Sequence, residues 1–147
     1  MTTKTEWNNI FVDTNVLVGA YSDNKEFADD AACWNYLCRL KGKRIFISSL
    51  SIAQLVSVFQ KKMSNNDVEK KVKNIIGKKQ VSIIGFTKTD LEDSLRLKNG
   101  DMEDNIQYVL SKKVRCTRFV TNNTKDYGHF INLEIVHPKK IRTVNMD

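Results

Sequence analysis

The sequence predicts a three-layer α/β fold, in which a central, mostly parallel sheet of four to five strands carries helices on both faces. Short apolar segments typical of buried strands alternate with segments whose apolar residues recur at helical spacing, and this alternation implies crossover connections. The 147 residues contain one proline and six glycines, too few for the many turns of an all-β sandwich. The length suits one domain over residues 1–147, with its core at about 10–144.

Five short segments are predicted as strands because they are rich in Ile, Val and Phe and are bounded by polar residues. In chain order they cover residues 10–12, 44–48, 81–86, 118–121 and 133–136, the last as a short edge strand. Several of them are apolar throughout, as in strands that are covered on both faces. In such open parallel sheets, ligands bind beyond the carboxyl ends of the strands.

The helices are predicted from apolar stripes at helical spacing and from the capping residues in front of them. They cover about 16–20, 25–40, 52–59, 68–76, 89–98 and 101–112, with a break at 99–100 between the last two. Ser49 or Ser51 is expected to cap the third helix, and Thr89 with Glu92 has the spacing of a capping box at the fifth. The predicted buried stripes include Phe27, Trp34, Phe59, Ile75, Ile76, Met102 and Leu110.

Charge and cysteine content restrict the partners and the compartment. The chain has 24 Lys and Arg against 17 Asp and Glu, a formal net charge of +7, which favours a polyanionic partner or else a lysine-rich solvated surface. Cys33, Cys38 and Cys116 lack paired spacing, which predicts neither a disulfide framework nor a zinc site. Because no segment is apolar enough for a signal peptide or a membrane span, we expect a cytoplasmic protein without a membrane partner.

Acidic and amide side chains gather where the predicted strands end. Asp13 ends the first strand, Asn123 and Asp126 follow the fourth, and Asp101 and Asp104 open the helix that leads into the fourth. Carboxylates at one edge repel each other unless a cation lies between them, and hard oxygen ligands suit Mg²⁺ or Mn²⁺. Such a cation holds phosphates and activates water, so a basic chain with an acidic edge fits metal-assisted phosphodiester hydrolysis.

Each of these residues also has a purely structural explanation. Asp13 directly precedes the first predicted helix, and Asp is a residue type that commonly caps helices. Asp101 is better explained as a charge that complements a helix dipole. Asn123 and Asp126 suit a turn after a strand. Asp104 could likewise be a charge at a helix start, but for Asp13 and Asp104 the site is the favoured explanation. The common placement of these residues around the strand ends is the stronger argument for a site.

Three motifs occur in order along residues 10–144: IFVDTNVLVGA, DMEDNIQYVLSKK and FVTNNTKDY. They resemble the first, third and fourth acidic motifs of PIN domains, namely a strand that runs into Asp-x-Asn, the pattern D-F/L-E-D-A-x-Q-Y, and a strand that ends in T-R-N-x-x-D-F. The set is similar to bacterial PIN proteins that include the VapC-type toxins. The resemblance implies a PIN-like three-layer sandwich with metal-dependent endoribonuclease activity.

By this resemblance, the catalytic carboxylates are Asp13, Asp104 and Asp126. The metal, Mg²⁺ or Mn²⁺, is held by the same three residues together with Asn123. The supporting residues are Thr14, Asn15, Gln54, Asp101 and Thr121.

The second acidic motif departs from the family pattern, which places Glu in the helix after the second strand. In the segment SSLSIAQL, Gln54 stands at that position. Its carbonyl oxygen can face a metal, but glutamine adds no charge and cannot act as a base. Two interpretations stay open: a weakened site that needs Mn²⁺ or more Mg²⁺, and a domain that has lost the chemistry and kept binding.

Basic and aromatic residues outside these motifs are candidates for contact with RNA. The basic candidates are Lys61, Lys62, Lys112, Lys113 and Arg115, although a solvated helix face is the expected role for most single lysines. Tyr108 and Tyr127 flank the acidic motifs and could stack on bases, but packing is expected for Tyr127 because the resembling pattern has Phe there. His129 and His137 are not assigned as ligands.

The leading hypothesis is therefore a metal-dependent endoribonuclease that acts on RNA, as the toxin of a toxin–antitoxin pair with an antitoxin partner, and forms a homodimer. The alternative is a degenerate PIN domain that binds nucleic acid or a protein without catalysis. A receiver or phosphatase is disfavoured, because residues 13–15 (DTN) do not match the D-x-D-x-T pattern of aspartyl-phosphate hydrolases.

Overall fold

The protein structure, a computed structural model, describes residues 9–98, 100–128, 130 and 132–143. The predictions that involve Asn99, His129 and the segment before residue 9 lie outside the described residues, as does residue 144 at the end of the predicted core. The strands are β1 (Asn9–Val12), β2 (Arg44–Ser48), β3 (Val81–Ile84), β4 (Arg118–Val120) and β5 (Glu134–Val136). They form one parallel sheet in the order β3-β2-β1-β4-β5, which confirms the predicted parallel α/β architecture.

Seven α-helices connect and cover the strands in the described part of the chain. They are α1 (Thr14–Ala20), α2 (Ala28–Arg39), α3 (Ser49–Phe59), α4 (Asn65–Ile76), α5 (Lys88–Leu95), α6 (Met102–Lys113) and α7 (Thr124–Tyr127). Short 3-10 helices cover Lys25–Phe27 and Pro138–Thr143. None of the described helices is long and apolar enough to cross a membrane.

The sheet separates two apolar clusters, because successive side chains of a strand point to opposite faces. On one face, Ile10 and Val12 pack with buried residues of α1 to α4. On the other face, Phe11 packs with buried residues of α6 and α7, and its ring stacks on Phe119 of β4 with centroids 5.3 Å apart. The helices therefore lie on both faces of the sheet. Because all five strands are parallel, the polar residues that follow them lie at the same edge of the sheet.

Two predicted helix caps lie a few residues from the real ones. Ser48, rather than Ser49 or Ser51, caps α3, and its hydroxyl accepts a hydrogen bond from the backbone N–H of Ser51. At α5, the capping box is formed by Thr87 and Asp90 instead of Thr89 and Glu92. In both cases the helix begins directly where its strand or turn ends, so the first available hydroxyl is the one that caps it.

Three residues of the predicted buried stripes are exposed: Phe27 is 38% exposed, Ile76 is 59% exposed and Met102 is 39% exposed. Each lies at or beyond a helix end, Phe27 in the 3-10 turn before α2, Ile76 as the last residue of α4 and Met102 as the first of α6. A helix end projects past the sheet, so an apolar residue there follows the stripe in sequence without reaching the core. The third strand also ends at Ile84, earlier than predicted, because Ile84 pairs with Ser48, the last residue of β2, which is its only neighbour among the described strands.

Candidate metal and nucleic-acid site

The carboxyl ends of β1 and β4 form the topological switch point of the sheet. The chain runs from β1 to β2 and β3 on one side, and then crosses to β4 and β5 on the other. At such a point the connections leaving two neighbouring strands diverge and create a crevice, where ligands bind in open α/β folds. Asp13 follows β1 and Thr121 follows β4, so both lie in this crevice.

A cavity of 440 Å³ opens at this crevice and is lined largely by acidic and amide side chains. Its carboxylates are Asp13, Asp101, Glu103, Asp104 and Asp126. Its hydroxyl and amide residues are Thr14, Asn15, Gln54, Ser57, Gln107 and Asn123. No basic side chain is among the described residues that line it, although the whole chain carries a formal net charge of +7. The charge distribution is therefore strongly segregated, with an anionic cavity in a cationic protein.

Asp13 lies at the floor of the cavity and is held by hydrogen bonds to both carboxylate oxygens. Oδ1 accepts from the backbone N–H of Thr14 at 2.8 Å, so Asp13 caps α1 as well as lining the cavity. Oδ2 accepts from the Thr121 hydroxyl at 2.8 Å and from the Asn15 amide at 3.2 Å. Burial raises the pKa of this carboxyl in spite of these donors, which identifies desolvation as the dominant influence.

Asp104 faces Asp13 across the cavity from the first turn of α6. Asp101 caps that helix and accepts a hydrogen bond from the Asp104 backbone N–H at 2.8 Å. The Tyr127 hydroxyl donates to Asp104 Oδ1 at 2.8 Å. Burial and then repulsion from Asp101, Asp13 and Asp126 raise the pKa of Asp104 to about 6, against the opposing effect of the Tyr127 hydrogen bond. Burial is thus the main cause of the raised pKa, and repulsion from the neighbouring carboxylates adds to it.

Asn15 connects the cavity to a second buried carboxylate. Its side-chain oxygen accepts from the backbone N–H of Asn122 at 3.1 Å, and the Asn122 amide donates to Asp30 Oδ1 at 2.9 Å. Asp30 belongs to α2 and packs against Gly19 of α1, where a Cβ atom would lie 1.9 Å from Asp30 Oδ2. The orientation of Asn15, which the sequence predicted as a supporting residue, thus depends on the packing of α1 against α2.

Gln107 is a buried residue of the cavity wall that the sequence analysis did not single out. Its side-chain nitrogen lies 2.9 Å from Ser51 Oγ, 3.1 Å from Thr14 Oγ1 and 3.4 Å from Asp13 Oδ1. Its carbonyl oxygen is buried without a hydrogen-bond partner. The glutamine of the third motif was a signal for this residue, because NIQY in this chain aligns with A-x-Q-Y in the PIN pattern.

The remaining predicted site residues fall into two groups. Gln54 on α3, and Asp126 and Asn123 around the start of α7, all line the cavity, and the Asn123 backbone N–H is held by Thr121 Oγ1 at 3.0 Å. Asp101 also lines the cavity, and its side chain caps α6, a more specific structural role than the predicted charge at the helix start. All nine residues predicted as catalytic, metal-binding or supporting therefore lie in or beside one crevice.

The predicted basic contacts are not part of the cavity lining. Lys61 and Lys62 are exposed just after α3, the helix that contributes Gln54 to the cavity. Lys112 and Lys113 end α6, about 12 Å along the helix axis from Asp104. Lys113 forms an ion pair with the buried Asp90 at 3.0 Å, which gives it a structural role, and Arg115 is exposed in a left-handed conformation with φ 56°.

Two aromatic residues and one lysine complete the surroundings. Tyr108 is stacked on Phe130 with ring centroids 3.9 Å apart, which covers one face of its ring. Tyr127 is completely buried, as expected for a packing residue. Lys125, absent from the sequence-based candidates, lines a separate neighbouring pocket together with Asp101, Asp104 and Asp126.

The donor set fits a hard divalent cation that retains water ligands. Carboxylate and amide oxygens are the ligands that Mg²⁺ and Mn²⁺ prefer, and Mg²⁺ usually binds through one or two carboxylates while keeping several waters. Within the described residues, no three acidic, histidine or cysteine side chains form a tight preassembled group. The local observation that fits a cation is the lining itself, because positive charge among these five carboxylates would relieve their repulsion.

The chain is similar to known proteins over most of its length. The family model described as PIN domain matches residues 10–129. Over 129 residues the chain is 30% identical to Ribonuclease VapC1 of Aquifex aeolicus, which covers 81% of this chain and 84% of the relative.

Solved structures show the same fold at low sequence identity. VapC20 of Mycobacterium tuberculosis, described as a sarcin-ricin loop cleaving toxin, has a TM-score of 0.65 at 11% identity, covering 85% of this chain and 98% of that chain. A toxin-antitoxin complex from Klebsiella pneumoniae has a TM-score of 0.61 at 18% identity, covering 88% of this chain and 97% of that chain. These similarities establish the shared architecture around the crevice.

Proposed function

The chain belongs to the PIN domain family, and we propose that within this family it acts as a divalent-metal-dependent endoribonuclease. The substrate would be RNA, and the reaction hydrolysis of a phosphodiester bond. The relative from Aquifex aeolicus, which carries the name ribonuclease, supports this assignment. The setting would be a cytoplasmic toxin–antitoxin pair.

The observation that carries the proposal is the segregation of charge around the cavity. Five carboxylates line it without a basic residue among its described lining, while the chain as a whole is strongly basic. A polyanion would be attracted by the cationic surface and repelled by an empty acidic cavity. A divalent cation in the cavity removes this conflict, so the same site can receive a phosphate.

We assign the metal-binding role to Asp13, Asp104 and Asp126, with Asn123 as a direct or water-mediated ligand. When bound, the divalent cation would supply positive charge against the scissile phosphate and polarise water for attack. Thr121 and Asn15 orient the Asp13 carboxylate through their hydrogen bonds. At pH 7.5 Asp104 is mainly ionised, since its pKa is about 6, so it can contribute its negative charge.

The neutral side chain of Gln54 favours a second candidate function. It lines the cavity as a neutral residue, at the position where the PIN pattern has Glu. The neutral amide lowers the attraction for a cation, and the extreme case is a degenerate PIN domain that binds nucleic acid or a protein partner without cutting. Five carboxylates remain around it at the cavity, which is why catalysis is the preferred proposal: Asp13, Asp101, Glu103, Asp104 and Asp126.

For the RNA path, we favour the side of the cavity that α3 forms. Ser57, Val58 and Gln54 of this helix line the cavity, and Lys61 and Lys62 follow at its end. These lysines can therefore contact a backbone that passes over the carboxylates. Lys113 is less suited to this role, because it neutralises Asp90.

An antitoxin is the proposed protein partner, and a homodimer is the proposed assembly. The similarity to the toxin-antitoxin complex from Klebsiella pneumoniae supports the partner by analogy of fold. A partner segment with positive charge would complement the acidic cavity and compete with the metal.

The test is cleavage of a mixed set of structured RNAs in millimolar Mn²⁺, compared with EDTA and with Asp104→Asn. Glu92→Gln is the matched control, because it removes the charge of an exposed carboxylate on α5. We expect cleavage by the wild-type and Glu92→Gln proteins, and its loss in EDTA and in Asp104→Asn. RNA that is bound but left intact would establish the degenerate binding domain instead. Cleavage that survives Asp104→Asn would exclude this carboxylate from the site.

A further inference from the structure

The aromatic core places a hydroxyl group against one of the carboxylates that line the acidic cavity. Tyr127 is completely buried, and its ring packs against Phe119 and Phe130 with centroids 4.4 Å and 5.8 Å away. A ring confined on two sides has little freedom to rotate or shift. The position of its hydroxyl oxygen is therefore set by the core and not by the cavity.

The hydroxyl acts on the two carboxylates that face each other across the cavity. It donates to Asp104 Oδ1 at 2.8 Å. It is also among the hydrogen-bonding groups that lower the pKa of Asp13. Between two anions, a neutral donor reduces their repulsion and holds a chosen oxygen in place.

Asp104 is the carboxylate that needs this support. Asp13 is anchored at both oxygens by Thr14, Thr121 and Asn15. Asp104 is only half-buried, and the Tyr127 hydroxyl is the one side-chain donor to its carboxylate among the described hydrogen bonds. Without that donor, the carboxylate would be free to turn away from the negative charges of Asp13, Asp101 and Asp126.

We propose that Tyr127 is a positioning residue of the metal site, whose hydroxyl holds the Asp104 carboxylate in the orientation that receives the divalent cation. The inference rests on the proposed function in one respect, namely that Asp104 binds the metal. Tyr127 is not a ligand in this arrangement, because it is buried behind Asp104 and is not among the described residues that line the cavity. Its role resembles that of groups that orient the first ligands of a metal through hydrogen bonds.

The test is Mn²⁺ binding to metal-free Tyr127→Phe, measured by electron paramagnetic resonance or calorimetry. Phenylalanine keeps the ring and its packing and removes only the hydroxyl. The matched control is Tyr108→Phe, since the Tyr108 ring also packs on Phe130 but its hydroxyl donates to no carboxylate among the described hydrogen bonds. We expect the Kd for Mn²⁺ to rise about 10-fold or more in Tyr127→Phe and to stay unchanged in Tyr108→Phe.

A double variant separates positioning of Asp104 from a general effect on the fold. If Tyr127 acts through Asp104, adding Tyr127→Phe to Asp104→Asn should weaken Mn²⁺ binding much less than it does in the wild-type background. Circular dichroism of all variants checks that the fold is retained. An unchanged Kd in Tyr127→Phe, a lower Kd, or an equal loss in both backgrounds would overturn the inference.

These outcomes are distinct from failure of the proposed function. If the wild-type protein binds Mn²⁺ but leaves RNA intact, the proposed nuclease activity is refuted. The Kd values for Mn²⁺ then still decide whether Tyr127 positions Asp104. Wild-type protein that binds no Mn²⁺ would overturn both proposals.

Discussion

Removing the charge of Asp104 should make the metal-free protein more stable at neutral pH. The pKa of Asp104 is raised from 3.8 to about 6 by burial and by the neighbouring carboxylates. Asparagine has nearly the same shape, and its carbonyl oxygen can still accept the hydrogen bond from Tyr127. The substitution Asp104→Asn therefore removes the repulsion while leaving the main local contact in place.

The sign follows from comparing the folded and unfolded states. When folding raises the pKa of an acid, as for Asp104, the unfolded state ionises first. The free energy of unfolding therefore falls as the pH rises from about 4 to about 6. One unit of difference in pKa corresponds to about 1.4 kcal/mol, but Asp104 is only half-buried and solvent screening reduces the effect. We therefore expect a gain of about 1 kcal/mol at pH 7.5, or roughly 3 °C in Tm for a domain of this size.

The assay is thermal unfolding in EDTA at pH 7.5 and at pH 4, with Glu92→Gln as the control for loss of a surface charge. The gain should be present at pH 7.5 and nearly absent at pH 4, where Asp104 of the folded protein is protonated. With Mn²⁺ in excess the order should reverse, because the ion stabilises the protein that binds it. An Asp104→Asn protein that is less stable than the wild type at pH 7.5, or equally stabilised at both pH values, would refute the reasoning.

Two further predictions concern the cavity and its support. Gln54→Glu should lower the Kd for Mn²⁺, because it places a negative charge at the cavity. The control Gln60→Glu, at the exposed end of α3, should leave the Kd unchanged. Equal effects of the two changes would mean that only the net charge of the protein matters. Gly19→Ala should lower the free energy of unfolding by about 2 kcal/mol in urea, because its Cβ would lie 1.9 Å from Asp30 Oδ2. Gly85→Ala, whose Cβ would lie 3.7 Å from Ser49 Oγ, is the control, and an equal effect of both changes would show that Asp30 moves aside readily.

Much of the architecture was predictable because it depends on local pattern. Short apolar runs followed by polar residues indicated the strands, and parallel strands necessarily present their carboxyl ends at one edge. That geometry predicted Asp13, Asn123 and Asp126 at one edge, and the structure places them with Asp104 of α6 around one cavity. Helix boundaries were less accurate, since several hydroxyl-bearing residues stand near each start and only the chain path decides which of them caps.

Amino-acid types and their order thus determined the parallel α/β sheet, the acidic edge and the neutral Gln54. The tertiary structure alone decided how the site is braced. In the folded chain, the Tyr127 hydroxyl donates to Asp104 and the buried Gln107 amide lies beside Asp13. Lys113 forms an ion pair with Asp90. These contacts join residues up to 94 positions apart in the chain, as between Gln107 and Asp13. Side-chain type does not reveal such partners, because the distance between two distant residues is set by how the helices pack on the sheet.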